Sequence, residues 1–259
     1  MLITLLHSLP AAATVEHENI LSINYGGLWQ RDMYLSPLLY KGMEIGITNE
    51  WWQTFNRNSN WKHEGQIHLE FGWTYSEPHN NLIYSIGINS GWGAFYSWKW
   101  SEKGWEIILG PYLDLDFMPQ MHGKEVNKPF SMDLSVNICA KTGVSYHFKG
   151  KKSSYRLRYL IQTNLIGTDY MQDYWQSYYE LTEGIVGNIR CSGPWNHRTL
   201  KHELTIDIQC PHSTWRLGIA HQYMEYGTHD MWFTREQVEA IIGTSFRYKT
   251  TPNKPLVLE

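Results

Sequence analysis

The residues from Leu82 to Trp100 alternate almost without a break between large apolar side chains and small or polar ones. The apolar row consists of Leu82, Tyr84, Ile86, Ile88, Ser90, Trp92, Ala94, Tyr96, Trp98 and Trp100. Successive side chains of a β-strand point to opposite faces, so the segment predicts a strand with one apolar face. It is longer than most strands of soluble proteins. A tilted strand that crosses a bilayer needs about 9–11 residues, with aromatic rings at the headgroup levels. The segment therefore suggests a strand that spans a membrane.

The same alternation recurs along the chain. It predicts an all-β fold, an antiparallel up-and-down transmembrane β-barrel of about ten strands. The expected strands cover residues 18–30, 42–55, 62–76, 81–100, 104–120, 131–149, 153–168, 198–210, 213–227 and 236–248. Twelve strands is the alternative, because Tyr178–Leu181 and Ile185–Cys191 could form another hairpin.

Alternation alone does not separate a membrane barrel from a soluble lipocalin-like barrel, in which the apolar face turns inward. Aromatic residues at the strand ends favour the membrane. So do the connections, which are short near 56–60, 101–104, 150–153 and 211–213 and mostly longer near 31–41, 122–131, 169–197 and 227–236. Short turns at one rim and long loops at the other are typical of outer-membrane barrels. We expect both termini at the short-turn rim, in the periplasm.

The amino-acid composition limits the classes of function and of membrane segment that the chain can have. The net charge is −3 and no cluster of Lys and Arg stands out, so we expect no nucleic-acid partner. No run of 18 apolar residues exists, which excludes a transmembrane helix. A mean hydropathy of −0.44 is compatible with a membrane barrel, because half of each strand faces a polar interior.

The expected domain organisation is simple. Residues 1–15 are interpreted as a residual signal peptide, because an apolar stretch is followed by the small residues Ala11–Ala13. Residues 16–248 form one outer-membrane barrel domain, and residues 249–259 form a C-terminal tail. Aromatic strand residues usually end such barrels, so the tail beyond Tyr248 is a departure.

The cysteines and the candidate metal ligands of the chain indicate no metal site. The three cysteines, Cys139, Cys191 and Cys210, cannot all pair, and none shows metal-ligand spacing. A Cys191–Cys210 disulfide stays open. Asp114 and Asp116 come from one strand with no further ligand assured, so we predict no metal site and no cofactor.

Three short motifs resemble an uncharacterised outer-membrane β-barrel family of Bacteroidetes. They are Tyr34–Leu38, Tyr40–Glu44 and Gln176–Glu180, and the likeness extends from about Ile20 to Tyr248. The resemblance implies a β-barrel in the cell outer membrane of a Gram-negative bacterium. It implies no activity, because none is established for the family.

The inward rows of the strands carry charges. We predict a lumen polar network of Glu44, Glu70, Asp114, Asp116, Arg156, Arg158, Asp207 and Arg216. The acidic residues come mostly early and the basic residues late, so opposite signs across a lumen could select solutes. The alternative is that they pair inside a filled barrel, which we favour because ten strands is nearer the side-chain-filled size than the open porins.

One pair of residues, His202 and His221, is a candidate for catalysis. If Pro211 and His212 form a two-residue turn, His202 lies opposite His221 on the lipid side. At about 3.3 Å a residue and a tilt of about 40°, the pair lies roughly 20–25 Å above the turn, at the level of the outer headgroups. A lipid hydrolase would work there, but it needs a serine beside the base, and no outward serine lies beside the pair. Amphipathic side chains at an interface are the better interpretation.

The long loop after residue 169 is rich in aromatic residues. Tyr174, Trp175, Tyr178 and Tyr179 are assigned to recognition of a partner or sugar, or to a plug of the lumen. We therefore expect a non-enzymatic outer-membrane barrel, a narrow channel or an accessory subunit of a surface assembly, in contact with outer-membrane lipid and other surface proteins. A lipid A or phospholipid hydrolase and a soluble ligand-binding barrel are the alternatives.

Overall fold

The computed structural model describes residues 15–55, 59–77, 81–100, 103–124, 129–151, 153–171, 188–210, 213–228, 231–250 and 257–258. Within these ranges ten long antiparallel strands form a closed barrel, because β1 pairs with β2 on one side and with β11 on the other. The strands are β1 Val15–Asp32, β2 Ser36–Phe55, β3 Trp61–Ser76, β4 Leu82–Trp100, β5 Trp105–His122, β6 Phe130–Lys149, β7 Ser154–Tyr170, β8 Ile189–Ser192, β9 His197–Gln209, β10 Thr214–Thr228, β11 Met231–Thr250 and β12 Val257–Leu258. In the described part of the chain, no helix has the length and apolar character needed to cross a membrane.

The prediction of a ten-stranded antiparallel barrel is confirmed. Two short strands lie outside the closed ring: β8 pairs with the end of β7, and β12 pairs with β11. Twelve barrel strands is therefore wrong. A four-residue strand does form within the segment proposed for the extra hairpin, but residues 178–187 lie outside the described ranges.

The predicted difference in loop length is wrong for two of the four connections expected to be long, those near 31–41 and 227–236. We call the rim at which β1 begins and β11 ends the terminal rim, and the opposite one the distal rim. At the distal rim β1 and β2 are joined by residues 33–35 and β10 and β11 by residues 229–230, whereas residues 123–129 join β5 to β6 and the connection from β7 to β9 is longer still. The strands continue past their predicted ends because antiparallel pairing satisfies the backbone hydrogen bonds there.

Burial follows the predicted alternation, with the polar row inside. Glu44, Asp207 and Arg216 are at most 1% exposed, whereas Ile47 and Ile219 on the outer surface are 53% and 58% exposed. A soluble ligand-binding barrel has the inverse arrangement. This barrel therefore presents its apolar surface to the surroundings.

Aromatic side chains form two groups on the outer surface. Ring contacts along and between neighbouring strands join the residues of the terminal girdle in two sets: Trp61, Tyr96 and Trp98, and Trp105, Tyr146, Phe148 and Tyr155. Near the distal rim, Phe71 contacts Trp73 and Tyr84. From Trp61 to Trp73 along β3, about 3.3 Å a residue and a tilt of about 40° give a height of about 30 Å. Apolar residues fill the outer surface between the two groups.

Candidate functional site

Ion pairs bridge the lumen near the terminal rim. Arg158 on β7 donates to both carboxylate oxygens of Glu50, at 2.7 and 3.1 Å. Since β2 and β7 are five strands apart in the ring of ten, this pair crosses the barrel at its diameter. Arg216 donates to Glu50 at 2.8 Å and to Asp207 at 2.7 Å.

We call the whole cluster the terminal network. Arg156 joins it by donating to Asp207 and, at 2.7 Å, to Glu18, and Arg247 also donates to Glu18. Its charges balance, four against four: Glu18, Glu50, Glu203 and Asp207 against Arg156, Arg158, Arg216 and Arg247. Buried charges are stable only when paired and hydrogen-bonded, and this network meets both conditions.

A second group, the central cluster, lies nearer the distal rim. Arg235 is 2% exposed and donates to Glu44 at 2.9 Å and to Glu70. His68 and Glu239 complete the cluster, and these two residues line a cavity of about 110 Å³ together with Glu70 and Arg235. Gly87 provides the space, because a Cβ there would lie 2.2 Å from Glu70 Oε1. The inward glycines of β4 therefore leave room for neighbouring side chains.

Apolar side chains fill the lumen between and beyond the charges. Trp52, Phe95, Tyr112 and Leu160 pack together beside the terminal network. At the distal rim a cap is formed by Tyr34, Leu35, Tyr40, Ile83, Met118, Met171, Met224, Tyr226, Met231 and Phe233. Two members of the cap, Tyr34 and Leu35, belong to the first sequence motif. A cavity of about 370 Å³ adjoins the terminal rim.

All eight residues predicted for the lumen network have inward side chains. Asp114 accepts hydrogen bonds from Asn89, Gln162 and Lys201 at 2.8–3.0 Å, and Asp116 accepts one from Asn89. Six further charged or titratable residues face the lumen and were absent from the predicted network: Glu18, His68, Lys201, Glu203, Arg235 and Glu239. Their inward positions follow from the two-residue period of β1, β3, β9 and β11, and that signal could have identified them.

The two candidate catalytic histidines lie on the outer surface. His202 and His221 are directly opposite each other on β9 and β10, and their rings stack with centroids 5.9 Å apart. The Tyr159 hydroxyl lies 2.8 Å from His202 Nδ1, and Glu236 Oε1 lies 3.1 Å from His221 Nε2. The hydroxyl group next to His202 thus belongs to a tyrosine and not to a serine. These four residues form the exterior patch, which has no nucleophile of the kind used by serine hydrolases.

The remaining candidates are the four aromatic residues of the long loop and the three cysteines. Tyr174, Trp175, Tyr178 and Tyr179 lie outside the described residues. The three cysteines are free. Cys191 belongs to β8 at the distal rim and Cys210 follows β9 at the terminal rim, so the disulfide left open by the sequence does not form.

Fold and interior together define a class: a ten-stranded closed β-barrel with an apolar exterior and a lumen filled by paired charges. The chain belongs to the family described as protein of unknown function (DUF3316), which matches residues 4–231. This agrees with the resemblance to an uncharacterised family. No curated protein matches the chain.

Several solved barrels are similar to it. The outer-membrane protease OmpT from Escherichia coli is 8% identical, with 93% of this chain and 99% of that chain covered and a TM-score of 0.43. The transport unit of the autotransporter AIDA-I from E. coli is 9% identical, with 96% and 88% covered and a TM-score of 0.43. Neisserial surface protein A is 12% identical, with 87% and 96% covered and a TM-score of 0.33. None of these likenesses transfers an activity.

Proposed function

We propose that the protein spans the outer membrane of a Gram-negative bacterium, with both termini in the periplasm. The exposed apolar surface supports this, because soluble monomers rarely expose contiguous apolar patches larger than a few hundred Å². The height of about 30 Å between the aromatic groups is close to that of the apolar band of outer-membrane barrels, about 25 Å. A member of the Bacteroidetes is the expected host, from the motif resemblance.

Within the membrane, the proposed role is that of an accessory or structural subunit with a sealed lumen, and not that of an open channel. The Arg158–Glu50 ion pair across the lumen diameter is the observation that carries this proposal. A hydrated ion on its way through would have to separate this pair and then displace the apolar cap. Breaking a buried pair costs about 3–5 kcal/mol. The side chains that close the path are thus held by strong interactions.

Single-channel recording tests the sealed lumen. The full chain, refolded and inserted into a planar lipid bilayer, is expected to give no steady open-channel current. An open porin in the same bilayer is the control for sensitivity. A steady current with a defined conductance, in proportion to the inserted protein, would overturn the proposal.

A subunit that acts without a channel needs a surface that binds a partner. The exterior patch is a polar surface on the lipid-facing side of the described strands. Nine residues at about 3.3 Å and a tilt of about 40° place it roughly 23 Å above the turn between β9 and β10, in the distal half of the apolar band. Co-purification in mild detergent checks the accessory role. A stoichiometric outer-membrane partner, lost in the Glu236→Gln variant, supports it; a solitary barrel at every detergent concentration contradicts it.

A further inference from the structure

The central cluster has an excess of negative charge, unlike the terminal network. Its three carboxylates, Glu44, Glu70 and Glu239, face one arginine, Arg235. The neighbouring Asp114 and Asp116 share one lysine, Lys201, so the excess is not cancelled from that side. An uncompensated negative charge inside a barrel is costly, and either a proton on a carboxylate or a bound cation removes it.

The hydrogen bonds around His68 determine which ring nitrogen carries the hydrogen. Asn24 donates through Nδ2 to Glu239 at 3.1 Å, so its Oδ1 is the acceptor for the Thr48 hydroxyl, also at 3.1 Å. Because the Thr48 hydrogen is used there, the Thr48 oxygen accepts from His68 Nδ1, at 2.7 Å. The Nε2 atom of the neutral ring therefore carries a lone pair.

That lone pair faces a carboxylate. His68 Nε2 lies 3.2 Å from Glu70 Oε2, and ligand atoms of His68, Glu70 and Glu239 all lie within 4.8 Å of one another. Glu239 is 4% exposed, and its Oε1 atom has no hydrogen-bond partner. Two electron-rich atoms at this distance repel unless a positive charge lies between or beside them. A proton on Nε2 or a metal ion can supply it.

We propose that His68, Glu70 and Glu239 bind one divalent transition-metal ion inside the lumen. Ligand bonds of about 2.0–2.2 Å at tetrahedral or octahedral angles separate neighbouring ligand atoms by about 3–3.5 Å, which fits the observed 3.2 Å between Nε2 and Oε2. One imidazole with two carboxylates suits Zn²⁺, whereas Ca²⁺ and Mg²⁺ prefer oxygen ligands alone. Thr48 then acts as a positioning residue, since metal-binding histidines almost always donate their other N–H to a fixed acceptor. The site differs from the sequence expectation of no metal.

Zinc loading during folding tests the proposal, because a sealed lumen restricts later entry. The full chain, carrying a tag without histidine, is refolded with Zn²⁺ or with EDTA, separated from free metal and measured for zinc content per chain. Binding constants follow from competition with a chromophoric chelator. We expect one zinc per folded chain and an affinity at least about 10-fold weaker in His68→Gln and Glu239→Gln.

Two further variants make the assignment specific. His63→Gln removes a histidine that lies on the same strand but faces outward against Trp92, and it should bind zinc like the wild type. His221→Gln removes half of the exterior histidine pair, and it should also bind normally. No stoichiometric zinc in the folded wild type would overturn the proposal and assign the positive charge to a proton. If His221→Gln lost its zinc and His68→Gln kept it, the metal would lie on the outer surface, and the proposal would equally be overturned.

Discussion

Replacing Arg216 with methionine tests how strongly the terminal network stabilises the barrel. Arg216 is 1% exposed and makes three charged hydrogen bonds, two to Asp207 and one to Glu50. The substitution keeps most of the side-chain volume but leaves the network with four carboxylates and three guanidinium groups. Removing one partner of a buried ion pair destabilises by about 3–5 kcal/mol. We expect a loss of that size in the free energy of unfolding.

The matched control is Arg247→Met. Arg247 donates to Glu18 in the same network, but its side chain is 43% exposed at the terminal rim. Exposed ion pairs contribute about 0–1 kcal/mol, so this variant should lose no more than that. A double variant, Arg216→Met with Asp207→Asn, restores the charge balance and should regain part of the loss.

Reversible urea unfolding in lipid vesicles, followed by tryptophan fluorescence, measures these differences as shifts in midpoint at constant slope. A loss of stability in Arg216→Met no larger than that in Arg247→Met would refute this prediction. The prediction is also refuted if the double variant is less stable than Arg216→Met alone by the full cost of a second broken pair, because charge balance would then be irrelevant.

Three other predictions follow from the same structure. A membrane-impermeant maleimide should label Cys191 on intact cells, Cys210 only after the outer membrane is opened, and the 1%-exposed Cys139 in neither case; labelling of Cys210 on intact cells would reverse the proposed orientation. Gly42→Ala should destabilise the barrel by about 1–3 kcal/mol or more, because the new Cβ would lie 1.9 Å from the Trp73 carbonyl oxygen. Gly87→Ala should cost less stability but weaken zinc binding, because its Cβ meets the movable side chain of Glu70. Equal urea midpoints of the two variants would contradict this prediction. His202→Ala should leave the lipid A and phospholipid profiles of the cell unchanged, and a changed profile would restore the hydrolase hypothesis.

The barrel and its two faces could be predicted from the sequence because the two-residue period is repeated in ten strands. Polar and apolar rows therefore identify the inside and the outside residue by residue. The rule fails where the ladder has an irregularity. Asp169 is odd-numbered like the outward Leu157, but a bulge near Leu165 shifts the register, and Asp169 turns inward to His197 at 2.9 Å. A single sequence gives no signal for such a shift.

The central cluster could not be predicted for a different reason. Arg235 meets Glu44 across 191 residues of chain, and this contact exists only once β11 closes on β1. Local patterns indicate that both side chains face inward but not which partners they find. The loops near 31–41 and 227–236 were predicted too long because residues typical of turns also continue a paired ladder there.

Spin-label accessibility on β4 tests the central claim, a membrane barrel with its apolar face in lipid. With the three native cysteines replaced by serine, single labels are placed at Ile86 and Ile88, which are 51% and 41% exposed on the outer surface. A label at Lys99 near the terminal rim is the aqueous control. In lipid vesicles, oxygen should reach Ile86 and Ile88 readily and a water-soluble nickel chelate should not, with the opposite result at Lys99. High nickel accessibility at Ile86 and Ile88, equal to that at Lys99, would contradict the account.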